Sequence, residues 1–314
     1  MVDDGWTAVN PTFDTAIDYQ LLGKSALKIS RIGFGCMSLD AGNAEAEKIL
    51  QQALSLGINY FDTADLYQQG RNEELLGRAF KNKRDQVILA SKVGNQWRPD
   101  GSGWDWNPSK KYILDSVEKS LRRLQTDYLD LYQLHGGTID DPIDETIEAF
   151  EILKSQGKIR YYGISSIRPN VIREYVKRSQ MISVMMQYSL LDRRPEEEML
   201  DLLLNHQIGV LARGALAKGL LVSKPAVPFL DYDADQVKKA ADAIKDLSVE
   251  KRNPTQTALQ FVLQTPAISA AVVGIRTREQ LIEATDYADV KALRPQEIER
   301  LKIAIPINKY EDHR

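Results

Sequence analysis

From Ile32 onward, short apolar runs alternate with longer amphipathic stretches. Eight runs read as buried strands: Ile32–Gly35, Tyr60–Thr63, Val87–Lys92, Tyr128–Leu134, Arg160–Ser165, Val184–Tyr188, Gly209–Ala212 and Ala270–Gly274. Each is too short for a helix and is bounded by polar or glycine-bearing segments. Helical spacing of apolar residues marks Ala44–Leu56, Glu73–Phe80, Lys110–Leu124, Ile143–Gln156, Pro169–Arg178, Pro195–Asn205 and Arg278–Tyr287. In 143–156 the stripe is Ile143, Ile147, Phe150, Ile152 and Leu153, and Gly157 stops the helix. Ahead of this alternation, Tyr19–Leu22 and Leu27–Ser30 flank a Gly23-Lys24 turn and read as a hairpin.

Strand–helix alternation implies parallel strands joined by right-handed crossovers. Eight units in a chain of 314 residues fit an α/β fold of the closed (β/α)8 TIM barrel type. An open doubly wound sheet would announce a dinucleotide site by G-x-G-x-x-G after its first strand. Here that position reads Gly33-Phe-Gly35-Cys-Met-Ser, with no third glycine in register. The long gap between strands seven and eight holds two extra helical patterns, 234–247 and 255–264, expected next to the active face. Residues 1–18 lie outside the pattern and are expected to be a mobile extension, leaving 19–314 as a single barrel domain.

Composition removes several classes of function. The net charge is −3 and basic residues form no block, so nucleic-acid or anionic-membrane binding has no electrostatic support. No apolar run approaches the roughly 20 residues of a membrane span. The acidic N-terminus does not read as a signal peptide, and the expected location is cytoplasmic. The one cysteine, Cys36, rules out an intramolecular disulfide.

In a barrel, sites sit at the C-terminal ends of the strands. Strand two ends at Asp62 with Tyr67 shortly after; strand three ends with Lys92, strand four with His135, strand five with Ser165 and Ser166, strand six with Gln187 and Tyr188. Each has an ordinary structural explanation: a loop cap for Asp62, a solvated or paired cation for Lys92, surface cover for Tyr67. Together they make chemical sense. A phenol is a poor proton donor at neutral pH, an ammonium nearby favours its phenolate, and a carboxylate holds that ammonium charged. A histidine can orient a carbonyl oxygen. Such a group protonates a carbonyl as hydride reaches its carbon, and it needs a cofactor to bring the hydride.

FDTADLY (61–67), SKVG (91–94) and LYQLH (131–135) resemble the aldo-keto reductase superfamily. So do GFGCMSL (33–39), GKIRYYGISS (157–166), MQYSLLDR (186–193), ALAKGLL (215–221) and VVGIRTREQLIEA (272–284), in order and spacing. The resemblance implies NADPH-dependent reduction of aldehydes or ketones to alcohols, reversible, acting on a small-molecule carbonyl substrate, with no metal. By it, Tyr67 is the general acid, Lys92 paired to Asp62 tunes it, and His135 positions the carbonyl. Asp65 has no role in the scheme and reads as a loop cap.

The resemblance also implies an extended cofactor across the barrel mouth. The nicotinamide would lie on Tyr188, its carboxamide held by Ser165 and Gln187. Ser166 stands where the family commonly has Asn, with two fewer amide donors. Gly214, Leu216 and Lys218 match the pyrophosphate region, and Gly274, Arg276, Gln280 and Glu283 the adenosine end. Arg276, just before the last helix, is the cation for a 2′-phosphate and argues for NADPH over NADH. Ala284 replaces a usual adenine-contacting Asn, and Ala215 a usual proline. Met37 and Trp97 are candidates for the substrate pocket, Cys36 for the nicotinamide border. The tryptophans 97, 104 and 106 either wall a pocket or seal their loop. An alternative is a regulatory, channel β-subunit-like protein that keeps the cofactor but turns over little. A carboxylate-pair hydrolase is disfavoured, because strands three to eight end without acids.

Overall fold

The computed structural model describes residues 17–249, 252–286, 290 and 292–314. Most of the 1–18 extension and the final expected helical residue, Tyr287, lie outside the described residues. Tyr19–Leu21 (β1) and Lys28–Ser30 (β2) pair antiparallel. Then follow Ile32–Gly35 (β3), Ala44–Ser55 (α1), Tyr60–Asp62 (β4), Arg71–Phe80 (α2) and Ile88–Val93 (β5). Asn95–Trp97 (β6) and Trp104–Trp106 (β7) form a small antiparallel hairpin. Alternation resumes with Lys110–Leu124 (α3), Leu129–Leu134 (β8), Ile143–Ser155 (α4), Ile159–Ser165 (β9) and Pro169–Arg178 (α5). Ser183–Gln187 (β10), Met199–Asn205 (α6) and Gly209–Arg213 (β11) follow. Ala234–Asp246 (α7) and Pro254–Leu263 (α8) precede Ile268–Gly274 (β12), Arg278–Thr285 (α9) and Pro295–Ala304 (α10).

β10, β11, β12, β3, β4, β5, β8 and β9 close into one parallel barrel. These are the eight strands expected from the apolar runs, and α7 and α8 are the two extra helices. The N-terminal hairpin plugs the barrel's lower end. Leu22, Leu27 and Ile29 join Tyr60, Ala90, Leu131, Ile182, Met185, Leu211 and Ala270 in one interior cluster. Gly23, at φ +55°, lies so close to Ile182 O and Gly209 N that a Cβ would meet them at 2.5 and 2.6 Å. With that end sealed, the mouth at the C-terminal strand ends is where ligands enter.

The second core lies between barrel and helices. In α4 the buried stripe is Ile143, Thr146, Ala149, Phe150 and Leu153, whereas Ile147 and Ile152 sit at its edges. Phe150 stacks on Tyr162, rings 5.3 Å apart, and meets Tyr132 edge-on at 5.8 Å. The sequence pattern misses two elements. The β6–β7 hairpin is hidden by the Gly- and Pro-rich turn between its short arms. Helix α10 is identified by its buried Leu301, and it packs on α7.

Candidate active site

Asp62 ends β4, Lys92 lies in β5, and His135 follows β8, three neighbouring strands of the barrel. Lys92 and Asp62 form a buried ion pair across the β4–β5 boundary. Lys92 Nζ also donates to Thr63 O at 2.9 Å and to Tyr67 Oη at 3.3 Å. Gln133 Nε2 donates to the other Asp62 oxygen at 3.2 Å. Gln133 was not singled out from the sequence, although β alternation puts it on the same face as His135, two residues on. The Tyr67 ring meets the His135 imidazole edge-on, centroids 5.7 Å apart.

The turn after Tyr67 is strained. Gln68 and Gln69 have φ of 50° and 57°, a region that costs non-glycine residues free energy. Tertiary bonds hold it: Gln68 Nε2 donates to Leu39 O at 2.6 Å, and Gln68 Oε1 accepts from Ala41 N at 3.1 Å. The loop carrying Tyr67 is thereby tied to the loop after β3.

Burial by itself would strip the proton from Lys92, but Asp62 and Tyr67 more than offset it, and the ammonium lies above its ordinary pKa. Burial raises the Asp62 carboxyl, opposed by Lys92 and Gln133. His135 is pushed down to about 3 by burial, Lys92 and Arg213, so it is neutral near pH 7. Asp65 is buried in the adjoining turn, where its backbone N–H donates to Lys92 O at 3.3 Å. Desolvation and Glu73 push its carboxyl well up, and the Leu66 backbone N–H caps it, as expected of a loop cap.

These groups floor one end of a cavity of about 860 Å³, in the size range of small-molecule sites. Asp62, Tyr67, Lys92 and His135 line it, followed by Ser165 at the end of β9, Ser166 just after it and Gln187 on β10. Gly214, Leu216 and Lys218 continue the wall, and Gly274, Arg276, Gln280 and Glu283 also line it. Ala217, Lys218 and Gly219 take successive left-handed φ values of 46°, 58° and 93°. That loop and Lys224 give the middle of the cavity a cationic side. A cavity lined by a proton-transfer group together with Lys218, Lys224 and Arg276 suits a phosphate-bearing dinucleotide.

The aldo/keto reductase family model matches residues 31–306. The chain belongs to this family. It is an oxidoreductase that reduces carbonyl compounds with a nicotinamide cofactor. An uncharacterized oxidoreductase, YqkF, of Bacillus subtilis is 51% identical over 302 residues, covering 93% of this chain and 98% of YqkF. The holo form of aldo-keto reductase AKR11C1 from Bacillus halodurans superposes with TM-score 0.89 at 47% identity, covering 95% of this chain and 99% of that one. Its apo form gives TM-score 0.81 at 44% identity, with the same coverage.

In this reductase three expected contacts fall elsewhere. Tyr188 is 2% exposed and does not line the cavity. Its hydroxyl bonds Glu196 at 2.9 Å and Thr265 at 3.2 Å, and its ring packs on Phe261. Its face is therefore not available to a nicotinamide. The residue that faces the cavity on the next strand is Arg213, which the sequence reading passed over. Trp97 donates Nε1 to Leu66 O at 3.2 Å and seals its hairpin, outside the cavity wall. Trp106 Nε1 is likewise committed, to Asp141 at 3.0 Å. Cys36 is fully buried beneath the floor, whereas the adjacent Met37 is 63% exposed and lines the cavity. Among the described residues no His, Cys, Asp and Glu cluster could hold a metal, and no helix is long and apolar enough to cross a membrane.

Proposed function

We propose that the protein reduces aldehydes or ketones to alcohols with NADPH, and that Tyr67 delivers the proton. The observation that carries this is the contact of Tyr67 Oη with the Lys92 ammonium at 3.3 Å, in a cluster open to the cavity. Bound along the cavity, the reduced cofactor supplies the hydride. Tyr67 gives its proton to the carbonyl oxygen, and Lys92 holds the phenolate left behind. Asp62 keeps Lys92 charged and pointed at Tyr67, with Gln133 steadying Asp62. His135, neutral, hydrogen-bonds and orients the carbonyl oxygen without competing as an acid.

Ser165 and Gln187 are the candidates for the carboxamide, and Ser166 adds a hydroxyl on the same wall. Gly214, Leu216 and Lys218 suit the pyrophosphate; Gly274, Gln280 and Glu283 suit the adenosine. Gln280 Oε1 already accepts Arg276 N at 3.0 Å, which leaves its amide N–H groups and one oxygen lone pair for a ligand. NADPH is preferred over NADH because Arg276 is exposed at the cavity's adenosine end, ahead of α9.

The test is the absorbance loss of NADPH and NADH with a panel of aldehydes and ketones, for wild type and Tyr67→Phe. The expected result is a fall in kcat of roughly 10²–10⁴-fold in the variant, the worth of general acid catalysis. Full turnover by Tyr67→Phe would remove Tyr67 from its role. A wild type that binds cofactor but barely turns over any carbonyl would favour the regulatory alternative.

A further inference from the structure

We propose that Arg168 is the subsite for a carboxylate carried by the substrate, so that the protein favours aldehydes and ketones bearing one. This rests on the carbonyl-reduction reading above. Among the described residues, the cations lining the cavity are Lys92, Arg168, Arg213, Lys218, Lys224 and Arg276. Lys92 is spent on Asp62 and Tyr67. Arg213, Lys218, Lys224 and Arg276 all belong to β11, β12 or the loops that follow them. Arg168 stands apart, between β9 and α5. It leans from β9 toward β8, because its Nη1 donates to Gly137 O in the loop after β8. In the closed barrel β8 lies four strands from β12, diametrically across it. Arg168 is therefore on the other side of the mouth from the loops suited to the cofactor phosphates.

The cation also has no acid partner. Its guanidinium makes no ion pair with a described residue. Asp141 of the same β8–α4 loop accepts from Thr138 N, Thr138 Oγ1 and Trp106 Nε1 instead, and Asp140 is exposed. A half-buried guanidinium that gives one N–H to Gly137 O is fixed in place. Its remaining donors form a fork that matches a planar carboxylate.

The surroundings say what that carboxylate is attached to. Gly137 is two residues after His135, so their Cα atoms are at most about 7 Å apart. Gly136, between them, lines the cavity with backbone alone. Met37, Leu66 and Ile167 add apolar surface to the wall. A molecule with its carbonyl oxygen at Tyr67 and His135 and a short apolar body brings a carboxylate to Arg168.

Steady-state kinetics with NADPH on 3-carboxybenzaldehyde and 4-carboxybenzaldehyde, each against its methyl ester, tests this. The ester keeps the ring and the aldehyde and removes the charge. Wild type should show a higher kcat/KM on at least one acid than on its ester. Arg168→Gln, which can still donate to Gly137 O, should cut that acid-to-ester ratio about tenfold or more, chiefly through KM. Arg168→Lys should keep part of it. Should Arg168→Gln not fold, Arg168→Met replaces it. A ratio unchanged in the neutral variant overturns the proposal, as does a wild type that favours neither acid. Equal losses on acid and ester would make Arg168 only a clamp on the Gly137 loop. Weaker NADPH binding in equilibrium titration with an unchanged ratio would make it a cofactor contact. Either result also overturns the proposal. If wild type reduces no carbonyl compound at all, the carbonyl-reduction reading itself fails, which is a distinct result.

Discussion

Lys92 is held at three points, by Asp62, by Thr63 O and by Tyr67 Oη, so one buried cation ties two strand ends to the turn that follows them. Asp62, Lys92 and His135 were legible because a polar residue ending an apolar strand is conspicuous. Gln133 and Arg213 were not, since one looks like an interior interruption and the other like an ordinary loop cation. Tyr188 misled for a related reason. It directly follows the last residue of β10, and strand alternation turns it outward, toward Glu196 and Thr265, instead of into the cavity. Arg276 carries a prediction at this scale. Arg276→Ala should raise KM for NADPH about tenfold or more while changing KM for NADH about twofold at most, because only NADPH presents a 2′-phosphate to a charged donor. Steady-state kinetics with both cofactors measures it, and equal effects would remove the phosphate contact.

Between β9 and β10 the spacing of elements is set by a missing side chain. Gly163 faces Ser183, and a Cβ there would meet Ser183 Oγ at 2.4 Å and Ser183 O at 2.5 Å. The second atom is backbone and cannot rotate away. Gly163→Ala should cost about 1–3 kcal/mol, read from the urea midpoint, as overpacking does. Because β9 and β10 carry Ser165 and Gln187, the variant's affinity for cofactor should fall as well. The β6–β7 hairpin shows the opposite case. Its tryptophans look like pocket walls in one dimension, but Trp97 and Trp106 spend their indole N–H groups on Leu66 O and Asp141.

For the molecule as a whole, the half-buried, neutral His135 makes stability depend on pH. Its folded pKa, about 3, lies below the ordinary 6.5. Between those values the unfolded chain binds the proton and the folded one does not, so stability is full above pH 6.5 and declines as pH falls. Relative to a non-titrating His135→Gln variant, wild type should lose roughly 3 kcal/mol between pH 6.5 and about 4. Denaturation of both proteins across that range checks it; parallel curves would show that His135 is not held neutral. The same property predicts that no His135 ionisation appears in the activity profile near pH 7.

The order of strands and helices followed from periodicity alone, because a run too short for a helix and a stripe at 3.6-residue spacing are local properties. Closure into a barrel followed from their number and alternation. The identity of Asp62, Tyr67, Lys92 and His135 was equally local, carried by motifs at strand ends. Only the tertiary structure decided which faces those strand ends turn to the cavity. It put Tyr188 behind the wall and Arg213 in it, sealed Trp97 against Leu66, and brought Gln133 under Asp62. Such choices depend on the register between strands and on close approaches such as Gly163 to Ser183, which join positions far apart in the chain.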